Sequence, residues 1–434
     1  MISFNKFIKE IRNFGILWLT QSFSALGSAM TNFALILWSY QEHGSALTTA
    51  LLSVCSYAPY VVMSIFAGAL SDKWNKKAVM LVCDSFAALC TVGIWILLEA
   101  GKLEIWHLYC LNALNGLMNT IQQPAADVTI TLVTPGKYYQ LACGMRSFSN
   151  SLVNILTPVL AGALVTLADL QAVIIFDLFT FAAAFLSLAC FVKIPKIQDE
   201  AIEMETLLQS AKRGMKYLKE NRGILDLIFF LAAINFTASM FDAILPAMLL
   251  SRDGGGEMAY GIINAVTGLA LLTGSLAAAV LPAPKSRVRV ICNTLLVAMS
   301  TENFILALGR SVPIWCVGAV LGWIAIPIMN ANMDVLFRNY IPVDMQGRVY
   351  SARNTLQFFT IPVGYLLGGW LVDRIFEPFM AVQQPGGLLA AVFGTGKGSG
   401  AALLLFVIAV PGILTCLIFR KDKHIWELEQ DKPD

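Results

Sequence analysis

Apolar runs of about twenty residues recur along the chain, separated by short polar stretches. A run of this length can cross the hydrocarbon layer of a bilayer as a helix. The pattern predicts twelve membrane helices, at about residues 14–40, 46–70, 78–99, 105–126, 146–168, 172–194, 223–249, 259–281, 290–308, 313–336, 354–375 and 400–420. We therefore predict an all-α membrane protein with one six-helix bundle at 1–194 and another at 223–434.

The longest polar stretch, residues 195–222, lies between the two sets of helices. Apolar residues recur in it at helical spacing from Met204 to Leu218, and basic residues lie between them: Lys212, Arg213, Lys216 and Lys219. This spacing predicts an amphipathic helix with a basic face, suited to the inner surface of the membrane. We interpret the stretch as a cytoplasmic tether between the halves, with a role in regulation as the alternative.

Composition and charge support a membrane location. Hydrophobic residues make up 57% of the chain and charged residues only 13%, whereas a soluble domain is about one-quarter charged. With these helices, 25 of the 30 Lys and Arg residues fall on one side of the membrane. Positive residues concentrate on the cytoplasmic side, so we expect a multi-pass protein of the cell membrane with both termini in the cytoplasm.

The two halves share a sequence pattern. Six residues of the first half match six of the second at one constant offset of 204 positions: Asn150, Leu152, Pro158, Val159, Leu167 and Asp169 with Asn354, Leu356, Pro362, Val363, Leu371 and Asp373. A constant offset in equivalent helices indicates an internal repeat. We therefore predict two pseudo-symmetric bundles of six helices.

The segment Gly68–Lys77 reads GALSDKWNKK and joins helices two and three. It resembles the loop after the second helix in the major facilitator superfamily, with the pattern Gly-x-Leu-x-Asp-Arg/Lys-x-Gly-Arg/Lys-Arg/Lys. Asn75 stands where that family prefers glycine, and asparagine also tolerates the turn conformations for which glycine is used. From helix one to the Gln-Gly-Arg-Val sequence at 346–349, the chain is similar to the macrolide-efflux branch of the superfamily.

This resemblance implies an inner gate. In the family, the charges after helix two and an acidic residue at the inner end of helix four lock the two halves together when the protein opens outward. The matching residues here are Asp72, Lys73, Lys76, Lys77 and Asp127. The alternative is ordinary positive charge in a cytoplasmic loop.

Helix five ends with Thr157-Pro158-Val-Leu-Ala161-Gly162, which resembles a Gly-Pro-x-x-Gly-Gly pattern of the exporters. The resemblance implies export and a bent, closely packed helix, while a plain packing motif is the alternative. Asn115 stands where drug exporters carry an arginine linked to proton coupling, so any proton coupling must use another residue.

Ionisable residues inside membrane helices are costly and are therefore candidates for a functional site. Asp242 in helix seven is the foremost candidate for binding a proton or a cationic substrate, because Asn235, Thr237 and Ser239 make that helix polar. Glu302 in helix nine is the second. Asp84 and Asp177 lie near helix starts, are typical of the macrolide-efflux branch, and are interpreted as scaffold.

Neutral polar residues predict a cavity. Helix one carries a polar stripe at helical spacing, and helices four and ten add side-chain amides: Gln21, Ser24, Ser28, Thr31 and Asn32; Asn112, Asn115, Asn119, Gln122 and Gln123; Asn330 and Asn332. A polar stripe in lipid must face protein or a water-filled cavity. Hydrogen bonding between helices is one interpretation. The other is a cavity for a bulky, amphipathic organic molecule.

No nucleotide-binding Walker A sequence, metal-ligand cluster or nucleophile–base pair is visible in the sequence. We therefore expect neither an enzyme nor a bound cofactor, and an ion gradient, most simply of protons, as the energy source. The expected partners are a small organic substrate and the lipid bilayer, without nucleic acid, and we expect a monomer. The working hypothesis is proton-coupled export by alternating access.

Three questions stay open at this point. The chain could be a porter for a specific metabolite or a siderophore-like molecule, or a membrane sensor that no longer transports. The glycine-rich loop at 376–400 could enter the outer leaflet, cap the outer mouth of the protein or be a plain flexible loop.

Overall fold

The computed structural model describes residues 4–73, 75–135, 138–192, 194, 207–384 and 386–429. Every regular element among these residues is helical. The first five helices are α1 (Phe4–His43), α2 (Ala46–Lys73), α3 (Lys76–Glu99), α4 (Ile105–Val133) and α5 (Tyr139–Cys190). The next six are α6 (Leu207–Glu220), α7 (Arg222–Ser251), α8 (Glu257–Val280), α9 (Arg287–Leu308), α10 (Val312–Trp323) and α11 (Ile326–Tyr340). The last six are α12 (Val343–Phe358), α13 (Thr360–Leu371), α14 (Glu377–Ala381), α15 (Leu388–Phe393), α16 (Ser399–Phe419) and α17 (Lys423–Glu427).

Contacts divide the chain into two compact units. Unit 1 holds the residues up to Trp38 and from Cys55 to Leu207, and unit 2 holds Ser39–Val54 and the residues from Leu208 onward. In unit 1, Phe14 and Leu17 of α1 pack with Met80 of α3, Ala125 of α4 and Leu188 of α5.

Unit 2 has a separate core. Phe230 of α7 is fully buried with Leu295 of α9 and Phe337 of α11, and Leu218 of α6 and Ile425 of α17 close the same core. The helix predicted in the polar stretch is therefore present as α6, and its apolar face packs into unit 2 while Lys212 and Lys216 are exposed.

The all-α membrane fold is confirmed, and four of the predicted helices are more irregular than the hydropathy pattern indicates. Within the described residues, nine spans are long and apolar enough to cross a membrane. Helices five and six are joined as α5, a 52-residue helix interrupted by non-helical dihedral angles at Ala168 and Asp169. The count of twelve therefore stays a prediction.

Helices ten and eleven are broken. Helix ten splits into α10 and α11 around Ile324 and Ala325, where Pro327 begins the second piece because it needs no backbone N–H partner at a helix start. Gly274 of α8 makes room for this break, since a Cβ added to it would lie 3.1 Å from the Pro327 ring. Helix eleven splits into α12 and α13 and ends in a π-helical turn, Val372–Phe376.

Asn75 has an extended backbone here and not the turn conformation for which glycine is used. Its φ of −62° and ψ of 115° are in the extended region. The side-chain Oδ1 instead accepts hydrogen bonds from the backbone N–H groups of Lys77 and Ala78, at 3.0 and 3.3 Å. Asn75 is thus the N-cap of α3, a position that asparagine favours because its side chain satisfies free N–H groups.

The 376–400 loop is fixed to unit 2. Glu377 Oε1 accepts the backbone N–H groups of Gly398 and Ala401, both at 3.0 Å, at the start of α16. Between these two ends of the loop, Arg252 donates to the carbonyl oxygen of Phe393 at 3.1 Å and to that of Ala307 at 2.9 Å. Desolvation, with nearby Arg310, lowers the pKa of Arg252 to about 10, so the guanidinium stays charged at neutral pH. These contacts hold the described part of the loop against α7, α9 and α16.

Asp373, in the π-helical turn, holds the start of α2. Its carboxylate accepts the Ser45 hydroxyl at 2.5 Å and the backbone N–H groups of Ala46 and Leu47 at 3.0 and 2.9 Å. These are free N–H groups of a helix start, where a negative charge is favoured. Gly369 permits this approach, because a Cβ added to it would lie 2.7 Å from the Leu47 Cα.

We predict that Asp373→Asn destabilises the protein by about 1–2 kcal/mol, because the charge and one acceptor are lost at the start of α2. The measurement is the unfolding midpoint of the purified protein in detergent. Asp169→Asn is the matched control, since Asp169 is the repeat partner of Asp373 but is exposed and has a φ of 64°. Asparagine adopts that φ readily, so the control should change stability by less than about 0.5 kcal/mol. Equal midpoints for the two variants would contradict the capping role of Asp373.

Candidate functional site

Unit 1 encloses a cavity of about 440 Å³ between α1, α3, α4 and the second part of α5. This volume is in the range of small-molecule sites, which is roughly 300–1,000 Å³. Its polar lining residues are Gln21, Ser24, Ser28, Thr31, Asn32, Asp84, Thr91, Asn112, Asn115, Asn119, Gln122, Gln123 and Asp177. Its larger apolar lining residues are Leu35, Ile94, Leu111, Leu178 and Phe181. We refer to it as the unit 1 cavity.

The polar stripe of helix one and the amides of helix four meet in this cavity. Residues three, four and seven positions apart lie on one face of a helix, and that face of α1 and that of α4 both turn to the same space. Gln21, Asn32, Asn115 and Asn119 are therefore brought together as wall residues. The helices also come close elsewhere in unit 1: Gly116 of α4 leaves no room for a Cβ against the Ser56 carbonyl of α2.

Asp84 of α3 lies in the wall of the cavity and is half-buried. One carboxylate oxygen accepts the side-chain amide N–H of Gln122 at 2.5 Å. The other accepts the amide N–H of Gln21 at 3.5 Å. Asp84 thus connects α3 to both α1 and α4 through side-chain amides.

Asp177 of α5 lies in the wall as well, but only 4% of it is exposed. Its two oxygens accept the hydroxyl groups of Ser28 and Thr91, at 3.1 and 3.5 Å. Gly27 allows α1 to approach it closely, since a Cβ added there would lie 2.9 Å from the Asp177 Cα.

The lining contains two carboxylates and no basic side chain. None of the described residues that line the cavity is a lysine, an arginine or a histidine. The Oδ1 atom of Asn115 is buried in the wall and accepts no hydrogen bond from the described residues. The charge that the described lining residues bring to the cavity is therefore negative.

The other candidates of the sequence analysis lie in unit 2. Asp242 of α7 is half-buried and accepts the Tyr365 hydroxyl at 3.3 Å. Glu302 of α9 is 8% exposed and accepts the Trp323 indole N–H at 2.6 Å. Asn235 donates to the Gln357 carbonyl at 3.3 Å, and Asn330 is exposed. The unit 1 cavity contains none of these four residues.

The residues of the predicted gate are only partly described. The side chains of Asp72, Lys73 and Asp127 lie outside the described part of the structure. Lys76 is 7% exposed. Lys77 Nζ donates to the carbonyl oxygens of Ala189 and Val192, both at 2.9 Å, at the C-terminal end of α5. A cation at a helix C-terminus is stabilising, so Lys77 has a structural role in unit 1, and the gate stays a prediction.

The exporter-like sequence of helix five lies inside α5. Thr157 and Pro158 are buried, and Pro158 interrupts the backbone hydrogen bonding of the helix. A Cβ added to Gly162 would meet nothing within 4 Å. The described structure therefore gives no packing reason for glycine at this position.

Comparison with known proteins gives consistent results. The model of the family described as Major Facilitator Superfamily matches residues 17–365. Macrolide efflux protein A of Streptococcus pyogenes is 22% identical over 366 residues, which cover 83% of this chain and 90% of that protein. The multidrug efflux pump Tap of Mycolicibacterium fortuitum is 23% identical over 386 residues, which cover 84% of this chain and 91% of that pump. The crystal structure of a nucleoside transporter has a TM-score of 0.68 at 13% identity, covering 95% of this chain and 99% of that one.

We predict that Gly27→Ala destabilises the protein by about 1–3 kcal/mol, because the added methyl group forces α1 away from α5. The measurement is the unfolding midpoint in detergent. Gly15→Ala in the same helix is the control: a Cβ there meets nothing within 4 Å, so the better helix propensity of alanine should leave stability unchanged or higher by up to about 1 kcal/mol. A Gly27 variant as stable as the Gly15 variant would contradict the close crossing of the two helices.

Proposed function

Because the chain belongs to the Major Facilitator Superfamily, we propose that it exports bulky amphipathic organic compounds, macrolide-like drugs among them, by proton-coupled alternating access. As a member of that family it is a multi-pass membrane transporter for small molecules. Export, the proton as coupling ion and the drug-like substrate are our proposal. The named relatives that are efflux proteins support it, although their identity to this chain is only 22–23%.

The unit 1 cavity is the observation that carries the substrate class. Its amides and hydroxyls can form hydrogen bonds in several directions. Its apolar lining residues, such as Leu35, Ile94 and Phe181, can pack against the hydrocarbon part of a bound molecule. Neutral amides adapt to many partners because each has two donors and an acceptor. A lining of this kind suits an amphipathic molecule better than an inorganic ion.

Asp242 is the proposed site of proton exchange. An ionised carboxylate inside the membrane is unfavourable unless it is paired, and the described contact of Asp242 is the Tyr365 hydroxyl. Taking up a proton removes this unfavourable charge, and releasing it restores the charge. Coupling follows if substrate binding and proton binding exclude each other during the cycle, because the proton gradient then drives substrate outward.

The gate is the second part of the proposed cycle. Asp72, Lys73, Lys76, Lys77 and Asp127 would hold the cytoplasmic ends of the halves together in one state and release them in the other. In the same proposal the protein acts as a monomer in the cell membrane, with both termini in the cytoplasm and without a bound cofactor.

We predict that Asp242→Asn abolishes substrate-dependent proton movement, because an amide cannot exchange a proton at this position. The measurement uses inside-out membrane vesicles with an imposed pH gradient and a panel of macrolides and other amphipathic compounds. Substrate should collapse the gradient with the unmodified protein and leave it intact with the variant. Tyr365→Phe is the control, since it removes the hydrogen bond but keeps the carboxylate, and it should retain coupling.

The level of protein in the membrane and its unfolding midpoint show whether a variant without substrate-dependent proton movement is folded. Normal proton movement by folded Asp242→Asn would remove Asp242 from the mechanism. If the unmodified, folded protein responds to none of the compounds, drug export is excluded, and a porter for a narrow range of metabolites or a non-transporting relative is favoured.

A further inference from the structure

The two carboxylates of the unit 1 cavity have chemically different surroundings. Asp84 is held by the side-chain amides of Gln21 and Gln122, and Asp177 by the hydroxyl groups of Ser28 and Thr91. An amide N–H can only donate, whereas a hydroxyl can donate or accept. This difference separates the roles that the two residues can have.

Asp84 is held as an acceptor. Both of its described partners donate to it: the amide N–H of Gln122 at 2.5 Å and that of Gln21 at 3.5 Å. Two donors favour the ionised form, because a hydrogen bond to a charged oxygen is stronger than one to a neutral oxygen. Asp84 is also half-buried rather than buried, so part of its carboxylate faces the cavity. It is therefore a carboxylate that a bound molecule can reach.

Asp177 is enclosed by its own helices. Only 4% of it is exposed, each oxygen has a hydroxyl partner, and Gly27 brings α1 against its backbone. Little of its surface is left for a ligand. Its contacts instead join α5 to α1 and α3, so Asp177 positions the wall of the cavity.

The charge of Asp84 has no cationic partner among the described residues of the lining. A carboxylate in a low-dielectric site gains from a nearby positive charge. A protonated amine supplies this positive charge together with an N–H donor for the carboxylate.

We propose that the unit 1 cavity binds the protonated amine of an amphipathic molecule at Asp84, with the apolar part of the molecule against Leu35, Ile94 and Phe181. Asp177 is a positioning residue that does not touch the amine. This assignment rests on the proposed function and narrows its substrate class to organic cations. An anionic molecule of the same size would meet the Asp84 carboxylate and no basic side chain among the described lining residues.

The first test compares two ligands on the purified, unmodified protein in lipid nanodiscs. One is erythromycin, a macrolide whose sugar carries a basic tertiary amine. The other is its derivative in which that nitrogen is demethylated and acetylated, and is therefore neutral. We expect the cation to bind at least about tenfold more tightly, which is the strength of one charge-assisted hydrogen bond. Calorimetry or equilibrium dialysis measures both affinities.

The second test assigns the difference to one carboxylate. Asp84→Asn should bind both compounds with the affinity of the neutral one, while Asp84→Glu, which keeps the charge, should retain a preference for the cation. Asp177→Asn should lower the unfolding midpoint and leave the preference unchanged. Unfolding midpoints of all variants are measured alongside, so that a loss of folding is not mistaken for a loss of binding.

The outcomes separate this inference from the proposed function. Equal binding of the two compounds by the unmodified protein would overturn the role of charge but leave export of amphipathic compounds intact. A preference that survives Asp84→Asn, or that disappears in folded Asp177→Asn, would overturn the assignment to Asp84. The proposed function itself would be rejected if the unmodified protein bound neither compound and no compound collapsed the pH gradient in the vesicle assay.

Discussion

A carboxylate buried in a membrane helix bundle must find hydrogen-bond donors inside the protein, because lipid supplies none. Much of this structure follows from how that constraint is met. Asp84 takes its donors from the amides of α1 and α4, and Asp177 takes them from hydroxyls of α1 and α3. Glu302 uses the Trp323 indole. Each solution joins separate helices, and Asp84 and Asp177 also form part of the wall of the unit 1 cavity.

Asp373 meets the same constraint mainly with the backbone N–H groups of a helix terminus, together with one side-chain hydroxyl. Its three donors belong to Ser45, Ala46 and Leu47, at the start of α2. The segment Ser39–Val54 therefore packs with unit 2, whereas the rest of α1 and α2 packs with unit 1. Both helices thus belong to both units.

The sequence predicts the parts of this arrangement that depend on local pattern. Apolar runs identify the membrane helices, and the spacing of Gln21 and Asn32 on α1 and of Asn115 and Asn119 on α4 identifies two polar faces that do meet in a cavity. The importance of Asp84 and Asp177 could not be judged in this way. Near a helix start, free backbone N–H groups are the expected partners, but the donors that the structure shows are side chains 38 to 149 positions away in sequence. The break of helix ten has a local signal in Pro327, whereas the π-helical turn at 372–376 has none that we recognise.

The types of donor also distinguish the sites. Asp242 is contacted by a phenol hydroxyl, which can donate to a carboxylate or accept from a carboxylic acid after a small rotation. Asp84 is contacted by amide N–H groups, which would have to turn around to accept. A carboxyl group that gains and loses a proton in every cycle is better suited to the hydroxyl contact of Asp242. A carboxylate that keeps a constant negative charge is better suited to the amide contacts of Asp84. In the proposed cycle, proton exchange therefore belongs to unit 2 and recognition of the organic cation to unit 1, so that transport requires communication between the units rather than competition at a single carboxylate.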